Sequence, residues 1–250
     1  MFDQLVAVVR RLRTDCPWDR AQTAESMRPY VLEEVYEVLS AIDRGEPQEL
    51  RKELGDVLFQ VLLLARIAED EGAFRLEDVV AGAVNKMVTR HPHVFDPHHV
   101  STGSEVGIAA WERRKARERS GSVLDGVPEA LPALLRAHRV SEKAGSVGFD
   151  WPDLASVREK VGEELGELDE AIAAGEPDAI GEEFGDLLFA LVNLGRRLPV
   201  GAEEALRGAT DKFERRFRRI EVRLAERGRT VHDADLAELE AQWQAVKAER

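Results

Sequence analysis

The sequence predicts an all-α protein made of two tandem copies of one helical unit, and three observations predict it. Apolar residues recur at three- and four-residue spacing, as in Val31, Leu32, Val35, Val38, Leu39 and Ile42, which is the period of an amphipathic helix. No segment shows the two-residue alternation of a half-buried strand. A long stretch returns in register at a constant offset of 130 residues, Glu34 reappearing as Glu164, the mark of a duplicated supersecondary unit.

Taken in order, the chain opens with "MFDQLVAVVRRLRTDCPWD", a short apolar stripe broken by Arg10, Arg11 and Arg13. It lacks the basic-then-apolar order and cleavage site of a signal peptide. The stripe from Val31 to Ile42 ends at Gly45-Glu46-Pro47, a stop followed by a new start. Leu50, Leu54, Val57, Leu58, Val61, Leu62 and Ala65 make the next helical stripe. In the second copy "VGEELGELDEAIAAGEP" (161–177) repeats "VLEEVYEVLSAIDRGEP" (31–47), and "EEFGDLLFALVNLGR" (182–196) repeats "KELGDVLFQVLLLAR" (52–66). Further similarities join "NKMVTRHPHVF" (85–95) to "DKFERRFRRIE" (211–221) and "WERRK" (111–115) to "WQAVK" (243–247). Between the copies, "RERSGSVLDGVPEALP" (117–132) has the Ser, Gly and Pro of a connection. The expected boundary is near residue 122, giving domains 1–122 and 123–250, with Pro128 and Pro132 opening a linking helix. Roughly four or five helices per half are expected.

Composition narrows the function classes. The chain has 250 residues, 44% hydrophobic and 33% charged, suited to folded helical domains. Its net charge of −13 and pI near 5.1 repel phosphate backbones, so extended nucleic acid is not an expected partner. Cys16 is the sole cysteine, which rules out an intrachain disulfide and points to the cytoplasm. The longest apolar run, "VLFQVLLLARIA" (57–68), is interrupted by Gln60 and Arg66 and is too short for a bilayer span, so no membrane role is expected.

The acids carry the chemistry. Residues three or four apart share a helix face, so Glu34 with Glu37 and Glu164 with Glu167 each aim two carboxylates one way. The helix that follows each adds a second pair, Glu53 with Asp56 and Glu183 with Asp186. A short Gly-Glu-Pro connection favours antiparallel neighbours, which brings both pairs into one pocket suited to Mg²⁺ or Mn²⁺. A single E-x-x-E is an ordinary charged helix face; paired helices, occurring twice, are not. A magnesium site of this kind leaves room for phosphate, and Lys212, Arg215, Arg216 and Lys247 are the bases available to meet it. Lys86 and Arg90 are the first-half counterparts of Lys212 and Arg216. Trp243, one turn from Lys247, is the best candidate to stack on a base, whereas Trp18 and Trp151 read as core aromatics. His91, His93, His98 and His99 crowd one segment but are broken up by Pro92 and Pro97 with no cysteine near, a loop rather than a zinc site.

The double E-E-x-x-E then E-x-x-D arrangement, with "CPWDRAQT" (16–23), "RHPHVF" (90–95), "VGFDW" (147–151) and "KFERRF" (212–217), resembles the MazG family of tandem-domain nucleoside triphosphate pyrophosphohydrolases along essentially the whole chain. The resemblance implies helical bundles completed by homodimerisation and Mg²⁺-dependent hydrolysis of nucleoside triphosphates to monophosphate and pyrophosphate. It implies that Glu164, Glu167, Glu183 and Asp186 hold the metal, as Glu34, Glu37, Glu53 and Asp56 would in the first half. It also places Lys160, Glu163, Glu182, Lys212, Arg216, Trp243 and Lys247 around the nucleotide. Glu163 or Glu182 is the candidate to orient or deprotonate the attacking water. The halves differ where Lys160 replaces Tyr30 and Glu182 replaces Lys52. A lysine beside a metal pair weakens cation affinity, so the second half is expected to hold the main catalytic site. The alternative, most plausible for the first half, is a non-catalytic dimeric adaptor or nucleotide sensor.

Overall fold

The computed structural model describes residues 1–96, 121–198 and 200–249. Every regular element among the described residues is helical, as the apolar periodicity requires. The chain separates into two compact units, Met1–Val106 and Gly107–Arg250.

The first unit contains α1 (Phe2–Asp15), α2 (Pro17–Ala21), α3 (Arg28–Arg44), α4 (Pro47–Asp70), α5 (Leu76–Arg90) and α6 (Pro92–Phe95). Two of these, α2 and α6, are single short turns begun by proline and are too brief to show a period in sequence. The central helix is α4, which packs on α1, α3 and α5. Its residues Leu62, Leu63 and Ile67 bury against Val9 of α1 and Met27 just before α3. The end of α4 is tied down by ions: Arg66 meets Glu69 at 2.8 Å and Asp70 at 2.6 Å, and Arg13 of α1 reaches Asp70 at 3.1 Å.

The second unit contains α7 (Ala133–Ser146), α8 (Leu154–Ala174), α9 (Pro177–Arg197), α10 (Ala202–Ala225), a 3₁₀ turn (Val231–Asp233) and α11 (Leu236–Ala248). Pro132 is the residue before α7, while Pro128 lies outside any helix, so only the second of the two expected prolines opens a helix. Lys143 of α7 is buried and donates to the carbonyls of Val123 and Asp125 at 3.2 and 3.1 Å, pinning the turn that precedes α7. Helix α9 is central here, packing on α7, α8 and α10. Ile220 and Leu224 of α10 bury with Val246 of α11, closed over by Trp243 and Leu239. Arg196, the repeat counterpart of Arg66, again fixes the end of the central helix: it donates to Asp150 at 3.0 Å, with Arg197 at 3.2 Å from the same carboxylate. That contact ties the segment entering α8 to the end of α9.

The two hairpins, α3–α4 and α8–α9, are built alike. Each first helix ends at a glycine in the left-handed region, Gly45 (φ 66°) and Gly175 (φ 72°), the backbone state that glycine adopts without Cβ strain. Each glycine N–H bonds back to carbonyls of the last turn, to Ala41 and Ile42 in one case and to Ala171 and Ile172 in the other. A proline then begins the return helix, Pro47 or Pro177, where its missing N–H costs nothing. This short reversal makes the helices antiparallel neighbours and sets their acidic faces against each other.

Candidate metal and nucleotide site

Each hairpin brings three carboxylates together. Glu34 and Glu37 of α3 meet Glu53 of α4, and Glu164 and Glu167 of α8 meet Glu183 of α9, with one oxygen from each residue of a triad lying within 4.8 Å of the other two. Asp56 and Asp186 are not members of these triads. Their charges still act on them, Asp56 on Lys52 and Asp186 on Glu183. The structure therefore gathers three of the four expected ligands in each half and holds the aspartate at the edge.

Within each triad one glutamate is buried, Glu53 in the first and Glu164 in the second, each 6% exposed. A buried carboxylate needs a positive partner, and each has one lysine. Lys52 places Nζ 3.0 Å from Glu53. Lys160 places Nζ 2.7 Å from Glu164 and 2.8 Å from Glu163. The hydrogen bonds to Glu163 and then Glu164 hold the Lys160 ammonium well above the ordinary lysine range, and the Glu53 bond raises Lys52 likewise. The asymmetry expected from Lys52 alone is thus absent from the charges: both clusters contain an ammonium, supplied from different helices.

In each half the carboxylate raised above its ordinary value lies across the hairpin from the lysine. In the first half it rides on α4, and Glu37 across on α3 is raised, first by desolvation and then by the charge of Glu53. In the second half it rides on α8, and Glu183 across on α9 is raised, first by desolvation and then by Glu167, Asp186, Glu182 and Glu164. In the first cluster Glu53 Oε2 is also buried with no hydrogen-bond partner. A raised carboxylate in both triads and an orphaned oxygen in one mark a deficit of positive charge that one ammonium does not fill. A hard divalent cation fits this donor set: three carboxylate oxygens within 4.8 Å of one another are the kind of ligand Mg²⁺ and Mn²⁺ take.

The other expected site residues are placed as follows. Glu163 and Glu182 are exposed at the rim of the second triad, Glu163 engaged by Lys160. On α10, Lys212 and Arg215 are exposed and Arg216 is half-buried. The Arg216 guanidinium lies 5.7 Å from the centre of the Trp243 ring, and Phe213 packs on the same tryptophan at 5.1 Å. Trp243 is therefore a wall shared by α10 and α11, with exposed Lys247 one turn on. Among the described residues no hydrogen bond or ion pair joins these basic and aromatic side chains to the carboxylates. Helical spacing gave their common face but not its distance from the acids.

Lys86 is exposed on α5 and Arg90 is buried at its end. Trp18 is 48% exposed and meets Tyr30 edge-on at 5.6 Å, which corrects its reading as a core aromatic; Trp151 is half-buried beside Asp150. His91 and His93 are half-buried at α6, their rings 5.7 Å apart, while Pro97, His98, His99 and the "WERRK" segment lie outside the described residues. One polar residue at the first triad was missed in sequence, Gln60. It is 6% exposed and its Nε2 stands 3.4 Å from Glu34 Oε1. Its interruption of an apolar stripe was the available signal.

The model of the MazG nucleotide pyrophosphohydrolase domain matches twice, at residues 22–95 and 153–220, each span containing one hairpin and its triad. The chain is 45% identical over 98% of its length to the nucleoside triphosphate pyrophosphohydrolase of Escherichia coli strain K12, covering 97% of that protein. It is 42% identical to the nucleoside triphosphate pyrophosphohydrolase/pyrophosphatase MazG of Thermotoga maritima, covering 99% of this chain and 96% of that one. It is also 44% identical to the uncharacterized protein YabN of Bacillus subtilis, covering 98% of this chain and 51% of the relative. With two copies of the domain and full-length likeness to two such proteins, the chain belongs to the MazG family of nucleotide pyrophosphohydrolases.

Proposed function

We propose that the protein hydrolyses nucleoside triphosphates to monophosphate and pyrophosphate with Mg²⁺, Mn²⁺ substituting, and that its principal site is in residues 123–250. The observation that carries this reading is the Glu164, Glu167 and Glu183 triad, whose oxygens converge within 4.8 Å while Glu183 is held above its ordinary pKa. Asp186, whose charge acts on Glu183, would be the fourth acid to hold the cation. When bound, the cation supplies positive charge over the phosphoryl oxygens and acidifies the attacking water.

The chain's own residues do the rest. Glu163 or Glu182, at the exposed rim, takes the proton of the water that attacks the α-phosphorus. Lys160 neutralises Glu164 in the free protein, and its ammonium would be available to the phosphates where a cation neutralised that carboxylate instead. Lys212, Arg215, Arg216 and Lys247 meet the remaining phosphate oxygens, and Trp243, already backed by Arg216, stacks on the base. In the first half Glu34, Glu37, Glu53 and Asp56 hold a cation and Lys86 and Arg90 face phosphate, with weaker or no turnover.

Two further features complete the proposal. Leu165 and Ile172 of α8 and Phe184 and Leu188 of α9 are exposed on the single chain, and an apolar face of this size is covered by a second copy in a homodimer. The protein is cytoplasmic and acts on free nucleotides; no described helix is long and apolar enough to cross a membrane. The test is product analysis with Mg²⁺ and assorted nucleoside triphosphates. Pyrophosphate plus monophosphate is expected, abolished by Glu164→Gln with Glu183→Gln but largely kept by Glu34→Gln with Glu53→Gln. Orthophosphate plus diphosphate, or indifference to the first pair, refutes the reading. If Glu163→Gln and Glu182→Gln both keep full turnover, neither is the base.

A further inference from the structure

Gln60 is a neutral polar side chain that hydrogen-bonds a member of the first triad. It lies on α4 seven residues beyond Glu53, two turns along the same face, and is 6% exposed in an otherwise apolar stretch. Its Nε2 donates to Glu34 Oε1 at 3.4 Å, and its Oε1 is buried with no hydrogen-bond partner. The amide's orientation is set by charge: turned over, it would press a carbonyl oxygen on a carboxylate oxygen. Leaving a buried amide oxygen unpaired is unfavourable relative to an apolar side chain, so packing alone does not explain a glutamine here. The repeat counterpart in the second half is Ala190, buried at 4%, and that triad has no equivalent amide.

We propose that Gln60 is a positioning residue of a first-half cation site: through its N–H it holds Glu34 in the triad with Glu37 and Glu53. This rests on the reading of the carboxylate triads as cation sites. It makes the two sites chemically unequal, the first using an amide that the second lacks.

The test uses the full chain carrying Glu164→Gln, Glu167→Gln and Glu183→Gln, so that only the first cluster binds. Mn²⁺ is titrated and the free ion counted by electron paramagnetic resonance, with melting of the metal-free protein followed in parallel. Adding Gln60→Leu, or Gln60→Met as a second variant of similar volume, is expected to weaken Mn²⁺ binding about 10–100-fold, as loss of a residue that orients a ligand does. The metal-free melting temperature should not fall. In the reverse background, with Glu34→Gln, Glu37→Gln and Glu53→Gln, the same substitutions should leave Mn²⁺ binding unmoved. Affinity within twofold for both Gln60 variants overturns the role of Gln60 while the cation reading stands. If the starting protein binds no more Mn²⁺ than one lacking both triads, the first-half cation site falls and Gln60's role with it.

Discussion

Cation binding to these triads should expel a proton, and the structure says from where. Glu183 in the second triad and Glu37 in the first are each raised above the ordinary value of 4.5, whereas a carboxylate must be ionised to hold a cation. The lysines do not contribute, because Lys160 and Lys52 are raised and stay charged throughout the neutral range. Whatever proton these two carboxylates hold is therefore released on binding. Linkage then requires affinity to fall tenfold for each unit of pH below the raised value and to level off above it. The perturbation is acidification from pH 7.5 down through 4.5, the ordinary value above which both carboxylates lie, and the assay is calorimetric titration with Mn²⁺ in two buffers of different ionisation heat. Buffer-dependent heat should grow toward the acid end. Glu183→Gln should remove the pH dependence of the second site and weaken it as well.

The stability of the metal-free protein gives an independent check of sign. A carboxylate with a raised folded pKa adds stability that is fully present below 4.5 and is lost as pH rises through the folded value. The stabilisation conferred by Mg²⁺ should accordingly grow as pH rises over this range. An affinity whose fall on acidification is centred at or below the ordinary 4.5, with equal heats in both buffers above it, would refute the claim that these carboxylates are crowded together.

Other consequences are as direct. Gly175→Ala should cost about 1 kcal/mol through its left-handed φ alone, since a Cβ there meets nothing within 4 Å, while Gly166→Ala, inside α8 with equal space, should gain about 0.5–1 kcal/mol; urea unfolding reads both signs. Lys160→Met should lower the melting temperature of the metal-free protein more than that of the Mg²⁺-saturated protein, and equal drops would show that the ammonium does not stand in for the cation. Arg196→Met should cost about 1–3 kcal/mol at pH 7, because Asp150, held below 3.8 first by its Arg196 hydrogen bond, keeps only Arg197. That difference should vanish as pH falls through the depressed value of Asp150, in acid unfolding monitored by circular dichroism.

The fold was legible because its signals are local. Apolar periodicity, Gly45 and Gly175 as stops, and Pro47 and Pro177 as starts are properties of a few adjacent residues, and the hairpins follow from them. The triads were legible for the same reason, a helix face being fixed by spacing. What spacing does not encode is the distance between helices that are not joined by a short turn. The relation of Lys212, Arg216, Trp243 and Lys247 to the acids is of that kind, as is the approach of Gln60 Nε2 to Glu34, 26 residues away. Short helices such as Pro17–Ala21 escape for a different reason, since five residues complete little more than one turn.

The two substitutions that seemed to disable the first half are better understood together. Position by position, Tyr30 against Lys160 and Lys52 against Glu182 are separate mismatches. In the folded protein they are a single relocation: one ammonium per hairpin, carried by the return helix in the first half and by the leading helix in the second. The fold fixes the need for that charge, because each hairpin buries one glutamate of its triad, but leaves open which helix supplies it. The choice is not neutral. The carboxylate raised above its ordinary value lies across the hairpin from the lysine in each copy, Glu37 opposite Lys52 and Glu183 opposite Lys160, so it changes helix between the copies. A duplicated scaffold can thus keep the same three glutamates in each hairpin while the lysine and the raised carboxylate exchange helices.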